Sequence, residues 1–354
     1  MPYYITIGGL VFFVFLARVK NSNSLNTFLT STSLLLLVTL AVLRGDVGTD
    51  YSTYIEIWKS LKPISVALFE GTGKEYLEPG FRYFFSSLKQ FTDSDRVFLA
   101  AISLLNLVPL FVGLVKLDRK IVLPGILLYF LFFYLPYTLN AMRQAIAMSF
   151  LILSLPYLLS GRIFKVVICG LIGSSFHYSG FFIFLGLGFN YIRIDSNLML
   201  IVSSVVGLIS YVLKIPHFIL FDLLEYKVKF VEHFLSDTSV TQIATRLFMV
   251  AVVFFILFNL KRVNALPLYK SYALIMNIYL VGFTFYLAFL DINMFATRIN
   301  MFFRVLEVVL IPTGFFCFKY RMNRLLVCSV YLLALLAFYS ASSGQDYHYE
   351  FFKT

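Results

Sequence analysis

The feature that most constrains this chain is a succession of apolar runs, each close to the length a helix needs to cross a hydrocarbon core of roughly 30 Å. They cover residues 3–19, 28–43, 97–115, 121–139, 141–160, 197–213, 246–260, 269–290, 299–318 and 324–341. Inside lipid every backbone N–H and C=O must be satisfied within the segment, so the runs predict helices. Composition agrees, because a chain that is 60% hydrophobic and only 13% charged cannot cover a soluble globule of this size with polar surface. The expected fold is all-α, a polytopic transmembrane helix bundle of about 10 to 12 spans forming one integral membrane domain over residues 1–354.

The stretch 165–190 is long for a single span and is interrupted by Gly173-Ser174-Ser175 and His177. Two short helices meeting near His177, a broken hairpin, fit it best, since neighbouring helices can satisfy the freed backbone groups. The N-terminal run has neither a basic leader nor a small-residue cleavage site before it, and reads as a retained first span. Cys169, Cys317 and Cys328 lie in apolar runs without a CxxC pair or clustered His, so neither a disulfide framework nor a metal site is expected.

A net charge of +11 is an excess that nucleic acid could attract, but no basic stripe or zinc-binding pattern accompanies it. Lys and Arg instead collect at span ends: Arg18 and Lys20; Lys116, Arg119 and Lys120; Arg162 and Lys165; Lys261 and Arg262; Lys319, Arg321 and Arg324. With 165–190 as a hairpin these clusters share one side, which the positive-inside rule makes cytoplasmic. Both termini and two hydrophilic segments, 44–96 and 214–246, then face outward. Each segment carries aromatics at helix-like spacing (Tyr76, Phe81, Tyr83, Phe84, Phe85; Phe218, Phe221, Tyr226, Phe230, Phe234), as amphipathic helices at a membrane surface do.

Several polar residues are not required by this architecture. Arg44-Gly45-Asp46-Val47-Gly48-Thr49-Asp50-Tyr51, followed by Tyr54, places one Arg and two Asp against Tyr rings at the end of a span, in a loop that two Gly allow to bend. An ordinary Arg–Asp surface pair explains it equally well. Glu78 precedes Pro79, a helix-start pattern in which Glu78 complements the helix dipole, while Glu78 and Arg82 also share one helix face. Asn140, Arg143 and Gln144 sit in one turn between two apolar runs; Arg143 fits a snorkelling interfacial cation, but snorkelling needs no flanking amides. His177, beside Tyr178 and hydroxyl residues at the hairpin break, fits either a hydrogen-bonded structural residue or a proton shuttle. Asp291 to Arg298 links two spans, and Arg304 and Glu307, three apart inside the following one, can neutralise each other. Arg44, Arg82, Arg143 and Arg298 thus lie at the outer ends of four segments, and the guanidinium fork suits a diphosphate there.

These residues resemble the EpsG-like and Wzy-type bacterial polysaccharide polymerases. The likeness rests on Arg44 through Gly48-Thr49-Asp50-Tyr51 to Tyr54, on Glu78-Pro79, on Arg143-Gln144 with Ala147, on Phe176-His177-Tyr178-Ser179, and on Arg298 ahead of a span ending at Pro312. It implies a membrane-embedded, GT-C-like glycosyltransferase with two extracytoplasmic loop segments. Such an enzyme would sit in the bacterial cytoplasmic membrane with its site facing outward. It would transfer a growing glycan from undecaprenyl diphosphate to the non-reducing end of a lipid-linked repeat unit, for O-antigen, capsule or exopolysaccharide. Arg143 and Arg298 would hold the diphosphate, with Arg44 and Arg82 in support. His177 or Asp50, with Glu78 third, would be the base. Tyr51, Tyr54, Asn140, Gln144 and Tyr178 would position substrate. No metal or other cofactor is expected. Expected partners are the undecaprenyl-diphosphate-linked oligosaccharide and membrane lipid, with a chain-length-determining co-polymerase and a flippase, and no nucleic acid. A lipid-linked oligosaccharide flippase and an O-antigen ligase are the rival readings.

Overall fold

In a computed structural model of the chain, residues 2–20, 22–192, 194–219, 238–262, 266–314 and 321–351 are described. Within the expected second loop, Phe221, Tyr226, Phe230 and Phe234 lie outside these residues, as does Cys317. The regular elements are all helical, and the one extended pairing among the described residues is an isolated antiparallel bridge between Arg44 and Phe351. The chain forms two compact units, residues 1–184 with 328–354, and residues 185–327.

The first unit contains α1 (Pro2–Lys20), α2 (Asn23–Val42), α3 (Tyr51–Ser60), α4 (Ile64–Glu70), α5 (Pro79–Lys89), α6 (Asp95–Leu117), α7 (Val122–Tyr129), α8 (Met142–Leu159) and α9 (Ile163–Phe176). Of these α1, α2, α6 and α8 are long and apolar enough to cross a membrane. Large apolar side chains such as Phe12, Phe15 and Leu35 stay exposed on α1 and α2, as lipid-facing surface does. Beyond α7 the helix continues over Phe130–Thr138 in a wider π register, with Leu139 N–H donating to Tyr134 C=O. Pro136 lies within this stretch and has no N–H for the α ladder, which accounts for the wider turn. The expected break at His177 is present: α9 ends there, His177 adopts extended backbone, and a 3-10 turn over Tyr178–Phe184 follows.

The segment 44–96 contains three helices, α3 to α5. Trp58 of α3 is fully buried and stacks on Phe98 of α6, with ring centroids 5.2 Å apart; Phe85 of α5 meets Phe98 edge-on at 4.9 Å. This aromatic wedge joins α3, α5 and α6 through offset and edge-on ring contacts.

The second unit contains α10 (Leu185–Tyr191), α11 (Ser196–Val212), the single turn α12 (Ile215–His217), α13 (Val240–Arg262), α14 (Leu266–Ala288), α15 (Asn293–Arg304) and α16 (Glu307–Thr313); α17 (Arg321–Ser342) ends in the first unit. Here the structure corrects two expectations. Helix α15 already starts at Asn293, so Arg298 lies in a helix and not in a link between spans. The run expected as one span over 299–318 is broken after Arg304, and α16 restarts at Glu307. The break sits where a buried carboxylate must meet donors from other helices. Arg304 and Glu307 do pair, Nε to Oε1 at 3.0 Å and Nη2 to Oε2 at 3.2 Å.

Candidate functional site

In the first unit, the N-terminal ends of α3, α5 and α8 come together. Asp50 precedes α3, Glu78 precedes α5, and Ala141 precedes α8. Asn140 ties the first and last: its Oδ1 accepts from Asp50 N–H at 2.8 Å and from Thr49 Oγ1 at 3.3 Å. Tyr54, one turn into α3, accepts the Arg143 N–H at its Oη, 3.4 Å away. The Arg143 guanidinium donates through Nη1 to Glu78 Oε2 and lies 6.0 Å from the Phe81 ring centroid. Glu78 is therefore held by Arg143. Its i+4 neighbour Arg82 instead approaches Glu75 at 3.9 Å, so the two residues on one face answer different partners.

Gly48 is needed for this geometry. Its φ is +93°, and an added Cβ would stand 2.9 Å from Asn140 Oδ1 and 3.2 Å from Leu139 O. A side chain there would strain the backbone and collide with the α8 approach.

Arg44 is buried, with 1% of its surface exposed, and no carboxylate among the described residues pairs with it. It donates through Nη1 to Leu139 C=O, approaches Met142 Sδ at 3.5 Å through Nη2, and lies 5.4 Å from the Tyr51 ring centroid. Burial holds its guanidinium down to about 10, still charged at neutral pH. The same burial raises the Tyr51 and Tyr54 hydroxyls. Arg44 thus braces the turn that leads into Arg143.

Sequence reasoning did not anticipate what covers Arg44. The C-terminal residues return to the loop: Gly45 N–H donates to Glu350 C=O at 2.7 Å, and Gly48 N–H to Asp346 C=O at 2.6 Å. Tyr349 meets Tyr3 edge-on at 5.2 Å and donates to Leu40 C=O at 2.9 Å. The Tyr-rich text after the last span was the available signal.

The hairpin reaches the cluster through α5. A Cβ on Gly80 would lie 2.7 Å from both Ser175 Cβ and Ser175 O, so the start of α5 packs directly on the end of α9, next to His177. His177 Nδ1 faces Ser179, with Oγ at 2.8 Å and the backbone N–H at 3.2 Å. An Nδ1 that accepts from a backbone N–H places the proton of the neutral ring on Nε2. Gln144 is buried in the first turn of α8, whereas Tyr178 is exposed. Arg298 belongs to the second unit and is exposed on α15; Asp291, its nearest acidic neighbour in sequence, holds His217 Nε2 at 2.6 Å.

The sequence matches the EpsG family over residues 27–353, a range that includes every residue named for the site. The chain belongs to the EpsG family. No curated protein and no solved structure matches it. This EpsG protein is a multi-pass membrane protein of the polysaccharide-polymerase type, and its Arg44, Asp50, Glu78 and Arg143 sit on one convergence of helix starts within one compact unit.

Proposed function

We propose that this protein is a glycosyltransferase that polymerises a polysaccharide on the outer side of a bacterial cytoplasmic membrane, on a GT-C-like scaffold. It transfers the growing chain from undecaprenyl diphosphate to the non-reducing end of a lipid-linked repeat unit. The observation that carries this reading is Arg143 paired with Glu78 where the starts of α3, α5 and α8 meet, in a chain of the EpsG family.

In the reaction the acceptor hydroxyl oxygen attacks the anomeric carbon, and the bond from that carbon to the diphosphate oxygen breaks. The bonding pair leaves with the diphosphate, so negative charge grows there as the transition state forms. Helix N-termini and guanidinium forks favour such charge. Arg143 contacts the diphosphate, while Arg44 and Arg82 support the surrounding loops.

The acceptor proton requires a base, and Asp50 suits the role better than the other two candidates. Its carboxylate accepts from Thr49 Oγ1 at 3.4 Å and is half-buried beside the site. Glu78 is engaged by Arg143, and the neutral His177 ring carries its proton on Nε2 while Nδ1 accepts from Ser179, which leaves it no nitrogen to act as base. Tyr51, Tyr54, Asn140, Gln144 and Tyr178 shape the place where the sugars lie.

The test is to incubate purified protein with a lipid-linked repeat unit and resolve the products by size. A ladder with release of undecaprenyl diphosphate is expected. Movement of the lipid-linked unit across a vesicle without elongation would instead indicate a flippase, and a single addition to lipid A core a ligase.

A further inference from the structure

A second set of buried charges lies in the other unit and has no part in the mechanism above. Arg246 of α13 is 2% exposed, and Glu307 at the start of α16 is fully buried. Glu307 accepts from Arg246 Nη1 at 3.1 Å, from Tyr279 Oη at 2.9 Å, and from Nε and Nη2 of Arg304. Three of these donors meet Oε1 and one meets Oε2, so the carboxylate is already engaged from three helices. Arg246 Nη1 also donates to Tyr279 Oη, and its guanidinium lies 4.3 Å from the Tyr279 ring centroid.

One edge of Arg246 remains. Its Nε and Nη2 are both buried, and neither has a hydrogen-bond partner among the described residues. These two N–H groups form the side-on fork of a guanidinium, the same fork with which Arg304 grips Glu307. Burying a cationic fork is favourable only where its N–H groups meet acceptors. The Arg246 guanidinium also lies 5.7 Å from the ring centroid of Phe283 on α14, and Tyr286, one turn further along the same face, has a buried hydroxyl with no hydrogen-bond partner among the described residues. An unbonded guanidinium fork, with a buried hydroxyl on the neighbouring helix face and the local carboxylate already engaged, has the donor chemistry of a receptor for an oxyanion.

We propose that Arg246 and Tyr286 form an anion site for a phosphate group, separate from the Arg143 cluster. Two oxygens of the phosphate take the Arg246 fork, and Tyr286 donates to an oxygen of the same group. Glu307 and Arg304 act as positioning residues: Glu307 holds Nη1 so that the fork points away from it. The chemistry is common to a lipid diphosphate headgroup and to free phosphate or pyrophosphate.

The test measures binding of radiolabelled pyrophosphate to purified full-length protein in detergent, in an Arg143→Ala background that removes the proposed first site. Undecaprenyl diphosphate in nanodiscs is measured in parallel. Saturable binding is expected, weakened about tenfold by Tyr286→Phe and more by Arg246→Lys, which keeps the charge but lacks the fork. Tighter binding of the lipid than of pyrophosphate assigns the site to a headgroup; equal affinity assigns it to free phosphate. Tyr286→Phe removes one hydroxyl that bonds to no described residue, so it keeps the test decisive if Arg246→Lys fails to fold. No binding in this background, or an affinity that Tyr286→Phe leaves unchanged, overturns the proposal. The polymerase reading fails separately, if wild-type protein makes no ladder.

Discussion

Arg44 and Arg143 lie close in the fold and use the same side chain differently. Arg143 is part-exposed and faces the carboxylate of Glu78. Arg44 is fully buried against the Tyr51 ring and bound to the Leu139 backbone carbonyl. Replacing Arg44 with Met should therefore leave the Leu139 carbonyl buried and unsatisfied, and destabilise the protein by about 2 to 4 kcal/mol. Thermal unfolding in detergent checks this, and an unchanged midpoint would remove Arg44 from its bracing role. Glu78→Gln should act on chemistry more than on stability. It weakens the hold on Arg143 and changes its charge balance, so product yield is expected to fall about tenfold or more with little change in melting temperature.

At the scale of elements, the spans and the hairpin break were legible because each is a local pattern: apolar length for the helices, and Gly, Ser and His clustered near residue 177. The break after Arg304 was not, because Glu307 draws donors from Arg246 and Tyr279, which are 61 and 28 residues away in sequence. The site was legible in part for the same reason. Asp50, Glu78 and Arg143 each stand out within their own segment, but nothing local says that three helix starts meet, or that residues 345–351 return to Arg44. The contact between α5 and α9 is the most sensitive joint. Gly80→Val must push Ser175 backbone away and should lower the melting temperature by several degrees while abolishing product, equivalent to about 2 kcal/mol or more of overpacking. A variant with wild-type melting and activity would show that α5 and α9 need not touch.

For the whole molecule, most of the net charge of +11 is explained by basic clusters at the ends of spans, and this reading fixes an orientation that can be measured. In a variant lacking the native cysteines, Tyr76→Cys should react with a membrane-impermeant maleimide in intact cells. Arg119→Cys should react only after permeabilisation. Both positions are exposed in the fold, so lack of reaction reports sidedness and not burial. The reverse pattern would put the Arg143 cluster on the cytoplasmic side, where the outward-facing reaction could not occur.

The role proposed for Arg143 is to hold the diphosphate leaving group of a polymerisation. It is tested most directly by giving purified wild-type and Arg143→Ala protein, reconstituted in nanodiscs, the same undecaprenyl-diphosphate-linked repeat unit, and resolving glycan length by gel. A ladder is expected for wild type and a loss of about 100-fold or more in elongation rate for Arg143→Ala, with equal amounts of folded protein in the membrane. A ladder of wild-type length and rate from Arg143→Ala would contradict it.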